Sequence, residues 1–221
     1  MRTAAETIRM ILEDNKLHSQ LMSQHSRVSG TDHQHLDIYA RKSTVTDGKG
    51  RTVTEHEPKK VDGAIERHRK PLKDDAVIYR GLTKHPDTKT TTHQDITAKG
   101  PLSTTIDKKQ ALGYAAQGAK AVKGHSTHDF EAHSLKIKAK KGTKGVYLPG
   151  AHGAAESKEF LMHSGTTIRI HPNPKVEFKT HHHEYYENGN FHKQTARVKH
   201  HVWNAEIVHD GTKPKKGIGS Y

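Results

Sequence analysis

The sequence predicts an α+β fold, and three observations carry the prediction. Short β-branched, apolar runs such as Ala76-Val77-Ile78-Tyr79 and Thr166-Thr167-Ile168-Arg169-Ile170 have the length and composition of strands. Apolar residues recur at helical spacing in other stretches. Asn188-Gly189 separates two long strand-like stretches, a strong signal for a two-residue β-hairpin.

Taken in order, residues 4–22 set Ala4, Ile8, Ile11, Leu12 and Leu21 against Glu6, Glu13 and Asp14, which predicts an amphipathic helix. From Ser23 to Lys60 apolar residues are scarce, and clusters of Gly, Asp, Ser, Thr and Pro predict loop, broken only by Leu36-Asp37-Ile38-Tyr39. A second helix is expected from Val61 to His68, closed by Pro71. Ala76 to Tyr79 then predicts a buried strand that ends at Arg80-Gly81, and residues 83–99 read as polar connection. After Gly100-Pro101, Leu102 to Ile106 predicts a strand, and Asp107 can cap a helix with Leu112, Ala115, Ala119 and Val122 on one face. Ser134 to Ala139 alternates apolar with polar residues, as a strand with one wet face does. Val146-Tyr147-Leu148, Phe160-Leu161-Met162 and Thr166 to Ile170 predict three more strands, the last two joined at Ser164-Gly165. Val176 to Glu187 and Phe191 to Val208 form the arms of the hairpin, and the Lys-containing tail reads as disordered.

The chain has 221 residues, enough for one domain with an extension, but only 31% are hydrophobic and 5% aromatic, so a modest core under long polar segments is expected. Lys and Arg outnumber Asp and Glu by 37 to 24, a formal charge of +13, which suits an anionic partner without choosing among nucleic acid, an acidic protein and a dinucleotide pyrophosphate. Cysteine is absent, which excludes disulfides, thiolate zinc sites and a cysteine nucleophile. The first residues lack a continuous apolar core, so neither a signal peptide nor a membrane span is expected, and a soluble cytoplasmic protein is the reading.

Three segments carry candidate chemistry. Arg80, at a strand end in Tyr79-Arg80-Gly81, offers a planar fork of donors for phosphate oxygens, and Gly81 lets a ligand approach the backbone. Ser103 and Thr105 share one face of a strand, with Thr104 on the other, so two hydroxyls can orient a carboxylate and a sugar. Glu159 precedes an apolar strand and follows a small-residue loop, where a carboxylate can stabilise a developing oxocarbenium ion.

Together, in this order, the segments resemble the arginine, serine-threonine-serine, glutamate type of mono-ADP-ribosyltransferase found in bacterial toxins and bacteriophages, over residues 61–208. The resemblance implies two packed, mostly antiparallel β-sheets with a cleft between them and flanking helices. It implies NAD as substrate, bound by Tyr79, Arg80, Gly81, Ser103, Thr104 and Thr105, with Arg80 on phosphate, Ser103 orienting and Glu159 catalysing, and no metal. It also implies transfer to a macromolecular target, protein or nucleic acid, in a bacterial cytosol. Where that family has Glu or Gln two positions before the catalytic Glu, this chain has Ser157, with Glu156 one further back. These two are the candidates for selecting the acceptor, which is then another side chain, a nucleic acid or water. NAD hydrolysis by the same site and a non-catalytic, basic nucleic-acid-binding module are the alternatives.

The expected organisation is a helical, loop-rich extension over 1–60, a catalytic domain over 61–209 and a basic tail over 210–221. His181-His182-His183 and His200-His201 do not make a metal site in this reading, because neighbours on a strand face opposite ways.

Overall fold

The computed structural model describes residues 15–23, 28, 31–32, 35–36, 39, 44–46, 52–54, 58–82, 85–86, 93–118, 130–149, 158–187 and 190–211. Helix α1 covers residues 15–23, and residues 31–32, 35–36 and 39 are also helical. A small hairpin pairs β1 (Thr44–Thr46) with β2 (Thr52–Thr54) in the region expected to be loop. Both are Thr-Val-Thr triplets, and β-branched residues favour a strand even in polar surroundings.

Helix α2 (Pro58–His68) starts three residues before the expected position, with proline at its first turn, where its missing N–H costs nothing. The strands that follow are β3 (Lys70–Pro71), β4 (Ala76–Leu82), β5 (Gln94–Thr97) and β6 (Leu102–Thr105). Strand β4 runs through Arg80-Gly81 rather than ending there, and β5 was not foreseen. After β6 come helix α3 (Lys108–Gly118) and the strands β7 (Phe130–Ala139), β8 (Lys144–Pro149), β9 (Lys158–Met162), β10 (Thr166–Ile170), β11 (Lys175–Glu187) and β12 (Asn190–Asp210).

Ten strands form one sheet in the order β3-β8-β9-β6-β4-β7-β12-β10-β5, with β11 on β12. Only β12 and β7 pair in parallel, among the described pairings. The fold is the expected α+β type, and its two layers are halves of this sheet. A single register pair, Tyr79↔Thr105, joins β4 to β6, whereas β4 and β7 pair from Ala76 to Leu82. Beyond Tyr79 the two halves separate.

The inner faces of the halves meet in one core. Leu102, Tyr147, Phe160 and Met162 from the first half join Ile78, Leu135, Ile137, Ile168 and Trp203 from the second, with Leu21 of α1 among them. Each large apolar side chain buried this way stabilises the fold by roughly 1.5–3 kcal/mol. On the outer face of the first half, Val61, Ala64 and Ile65 of α2 cover Val146, Leu148 and Leu161, together with Leu36. On the second half, Ala115 of α3 sits on Ala132 and Val198. The buried face of α3 is Ala111 and Ala115; Leu112, expected there, is only partly buried. Among the described residues, no helix is long and apolar enough to cross a membrane.

Candidate active site

The separation of β4 from β6 creates the site. Arg80, one residue past the Tyr79↔Thr105 pair, reaches across the opening, and its guanidinium donates to the Ser103 carbonyl. Burial pulls Arg80 below the ordinary guanidinium value, and Tyr39 and Glu159 oppose that pull. The cation therefore sits in a poorly solvated place where an anion would be strongly attracted.

Register supplies the carboxylate. Thr105 pairs with Glu159 and Ser103 with Leu161, which makes Ser103 and Glu159 diagonal neighbours on one face. The Ser103 hydroxyl donates to Glu159 Oε1, and Glu159 is only 4% exposed. That bond orients the carboxylate. The three segments singled out in the sequence thus meet in one chain of contacts, Arg80 to Ser103 to Glu159.

The remaining candidates divide. Thr104 faces the other way, is buried, and donates to the Phe160 carbonyl at 2.7 Å. The Thr105 hydroxyl lies 2.6 Å from Gln110 Oε1 and 3.0 Å from the Lys158 carbonyl, and accepts from the Asp107 N–H at 3.0 Å. Both threonines brace the strands around Glu159. Gly81 has a reason different from the one its sequence suggested. A Cβ there would stand 2.5 Å from the Ala111 carbonyl oxygen and 2.7 Å from the Ala115 nitrogen, so the glycine admits helix α3 rather than a ligand. Tyr79 is buried beside it in β4. Glu156 and Ser157 lie outside the described residues.

Asp107 caps α3 as expected, its Oδ1 accepting from the Lys109 N–H at 2.8 Å and the Gln110 N–H at 3.4 Å. The cap fixes the first turn and so positions Gln110 against Thr105. Gln110, Tyr39 and Tyr114 were not foreseen as part of the site. Tyr39 donates to the Pro101 carbonyl, and burial raises its phenol, with Arg80 and Glu159 close enough to act on it. Burial also raises Tyr114, helped by Glu159. Tyr39 ends a short apolar run and Tyr114 lies within a helix, and neither placement marks a site residue in the sequence.

A cavity of about 500 Å³ opens beside Arg80, lined by Tyr39, Leu82, Pro101, Leu135 and Ile168 among others. Arg80 and Lys99 stand on its otherwise largely apolar wall, a character that suits a ligand with an anionic centre and flat rings. A larger cavity of about 870 Å³ borders Tyr79 and Lys136 and touches none of Arg80, Ser103 and Glu159, whereas the smaller one touches Arg80 alone of the three. Among the described residues no group of His, Asp or Glu is arranged to hold a metal.

No protein-family model matches the chain, and no curated protein sequence matches it. Among solved structures it is similar to Plx2a, an ADP-ribosyltransferase toxin from Paenibacillus larvae, at 14% identity over 92% of this chain and 97% of that one, with a TM-score of 0.48. It is also similar to Vis toxin, an ADP-ribosyltransferase from Vibrio splendidus, at 14% identity over 94% and 87% of the two chains, with a TM-score of 0.46. The enzymatic component C2-I of the Clostridium botulinum C2-toxin matches at 12% identity over 87% of this chain and 46% of that one, with a TM-score of 0.42. These are likenesses of outline. What defines the site is the contact between Arg80, Ser103 and Glu159.

Proposed function

We propose that this protein transfers ADP-ribose from NAD to a macromolecular acceptor and releases nicotinamide. The observation that carries this reading is the Ser103 hydroxyl bonded to a buried Glu159 carboxylate, with the Arg80 guanidinium held at the same strand. In the reaction the bond between the ribose anomeric carbon and the nicotinamide nitrogen breaks, and its electron pair leaves with neutral nicotinamide. Glu159 stabilises the positive charge that develops on the sugar, and Ser103 keeps the carboxylate aimed. Arg80 holds the pyrophosphate, so that binding energy far from the reacting carbon orients it. An acceptor then bonds to the anomeric carbon and gives up a proton.

The test is incubation of wild type and Glu159→Gln with NAD labelled in its adenylate part, in a bacterial lysate, following free nicotinamide and label on protein and nucleic acid. Transfer predicts nicotinamide release with labelled macromolecule, both falling at least about 100-fold in the variant. Release without label would make the protein an NAD hydrolase. A folded wild type that releases nothing would sink the catalytic reading.

A further inference from the structure

The long hairpin carries a feature that the transfer reaction does not use. Strand β12 pairs with β7 only from Val198 onward, whereas β11 and β12 pair with each other from Lys175↔Val202 out to Glu187↔Asn190. Outward of Val198, among the described residues, the two strands pair with each other alone, as a two-stranded ribbon. Residues 190–197 span about 25 Å of it, at the usual strand rise.

Alternation sorts the ribbon into two faces. Val176 and Phe178 of β11 share a face with Arg197 and Lys199 of β12. Val176 and Phe178 are 42% and 51% exposed, and the Arg197 guanidinium lies 4.3 Å above the Phe178 ring. The Arg197 guanidinium stacked on the Phe178 ring makes a flat, cationic platform on which an unpaired base can stack. The same face continues inward through Trp203, which pairs with Leu135, which pairs with Arg80. A strand lying on the ribbon would therefore lead toward the cavity beside Arg80.

We propose that the ribbon binds single-stranded nucleic acid, with unpaired bases stacking at Phe178 and phosphates meeting Arg197. The formal charge of +13 favours a polyanion. A duplex hides the faces of its bases, whereas a single strand offers them for stacking. This binding is independent of the transfer reaction and is measured without NAD.

The experiment is fluorescence anisotropy of the full chain with an end-labelled RNA strand of about 20 nucleotides, the same sequence as single-stranded DNA, and the annealed duplex. Both single strands should bind more tightly than the duplex and weaken as salt rises; the tighter of the two names the natural polymer. Phe178→Ala should bind about tenfold more weakly, while Phe178→Tyr, which keeps the ring, stays within about twofold of wild type. Lys140→Ala with Lys141→Ala, at an exposed turn elsewhere, should also stay within about twofold. The proposal is overturned if neither single strand binds, if the duplex binds as well, or if Phe178→Ala matches wild type. Equal losses in Phe178→Ala and Phe178→Tyr, or competition by polyglutamate as effective as by RNA, overturn it too. Nicotinamide release should be unchanged in Phe178→Ala, so a failed binding assay and a failed catalytic assay remain separate results.

Discussion

At Ser103 one hydroxyl links two functions. Its side chain aims Glu159, while its carbonyl anchors Arg80. Ser103→Ala keeps the carbonyl and removes the hydroxyl, so Arg80 should stay in place and Glu159 should lose its orientation. The expected result is a fall in the rate of nicotinamide release of roughly 10–100-fold, the worth of one hydrogen bond to a charged group, with KM for NAD little changed. A rise in KM at constant kcat would instead assign Ser103 to substrate binding. Gly81 makes a complementary case. Gly81→Ala would press a methyl against the Ala111 carbonyl and the Ala115 nitrogen, both backbone atoms, and should cost about 1–3 kcal/mol in a urea unfolding series. The order of the Arg80, Ser103 and Glu159 segments made the site readable from sequence. The reason for Gly81 was not, because the helix that crosses it lies thirty positions on and its approach is a fact of tertiary structure.

The elements show a similar division, decided by how much apolar surface each buries. Strands β4, β6, β9 and β10 were legible because their buried residues are large and β-branched or aromatic. Strand β5 was not, since most of Gln94–Thr97 is exposed and it rests on β10 alone among the described pairings. The buried face of α3 differs from the expected one because Ala111 and Ala115, small and four apart, bring the helix close to β4, while Leu112 lies about 100° round the helix from Ala111. Charge pairing also ties elements together. Burial alone would raise Glu177 of β11, but Lys108 of α3 at 3.1 Å and Lys175 at 3.3 Å outweigh it and hold the carboxyl at about 2. A depressed carboxylate contributes stability that is complete above its unfolded value and lost as pH falls toward the folded one. Glu177→Gln should therefore lower stability at pH 7 and flatten the decline between about pH 4.5 and 2. Urea midpoints across that range check it, and an unchanged acid limb would show that the lysines do not hold the carboxylate in solution.

For the molecule as a whole, acid sensitivity begins closer to neutrality. His200 is fully buried, with Nε2 2.8 Å from the Ser134 hydroxyl, and burial lowers it to about 4; burial and the neighbouring His201 and His85 do the same to His133. Both rings stay neutral in the folded chain while an unfolded imidazole already takes a proton below about pH 6.5. Between those values the unfolded state binds more protons, so stability falls as pH drops from about 6.5 to 4 and the effect levels off below. Thermal midpoints at pH 7.5, 5.5 and 4.5 should fall in that order, and His200→Gln should reduce the slope whatever it does to the midpoint at pH 7.5.

The sheet bends most easily where it is held least, at the lone pair between Tyr79 and Thr105. Arg80 stands on one side of that seam and Glu159 on the other. The distance between the two charges is then set by how far that seam opens. A ligand that touches both works as a splint: it stiffens strands that it never contacts, and slowed amide exchange along β4 and β6 would register its arrival.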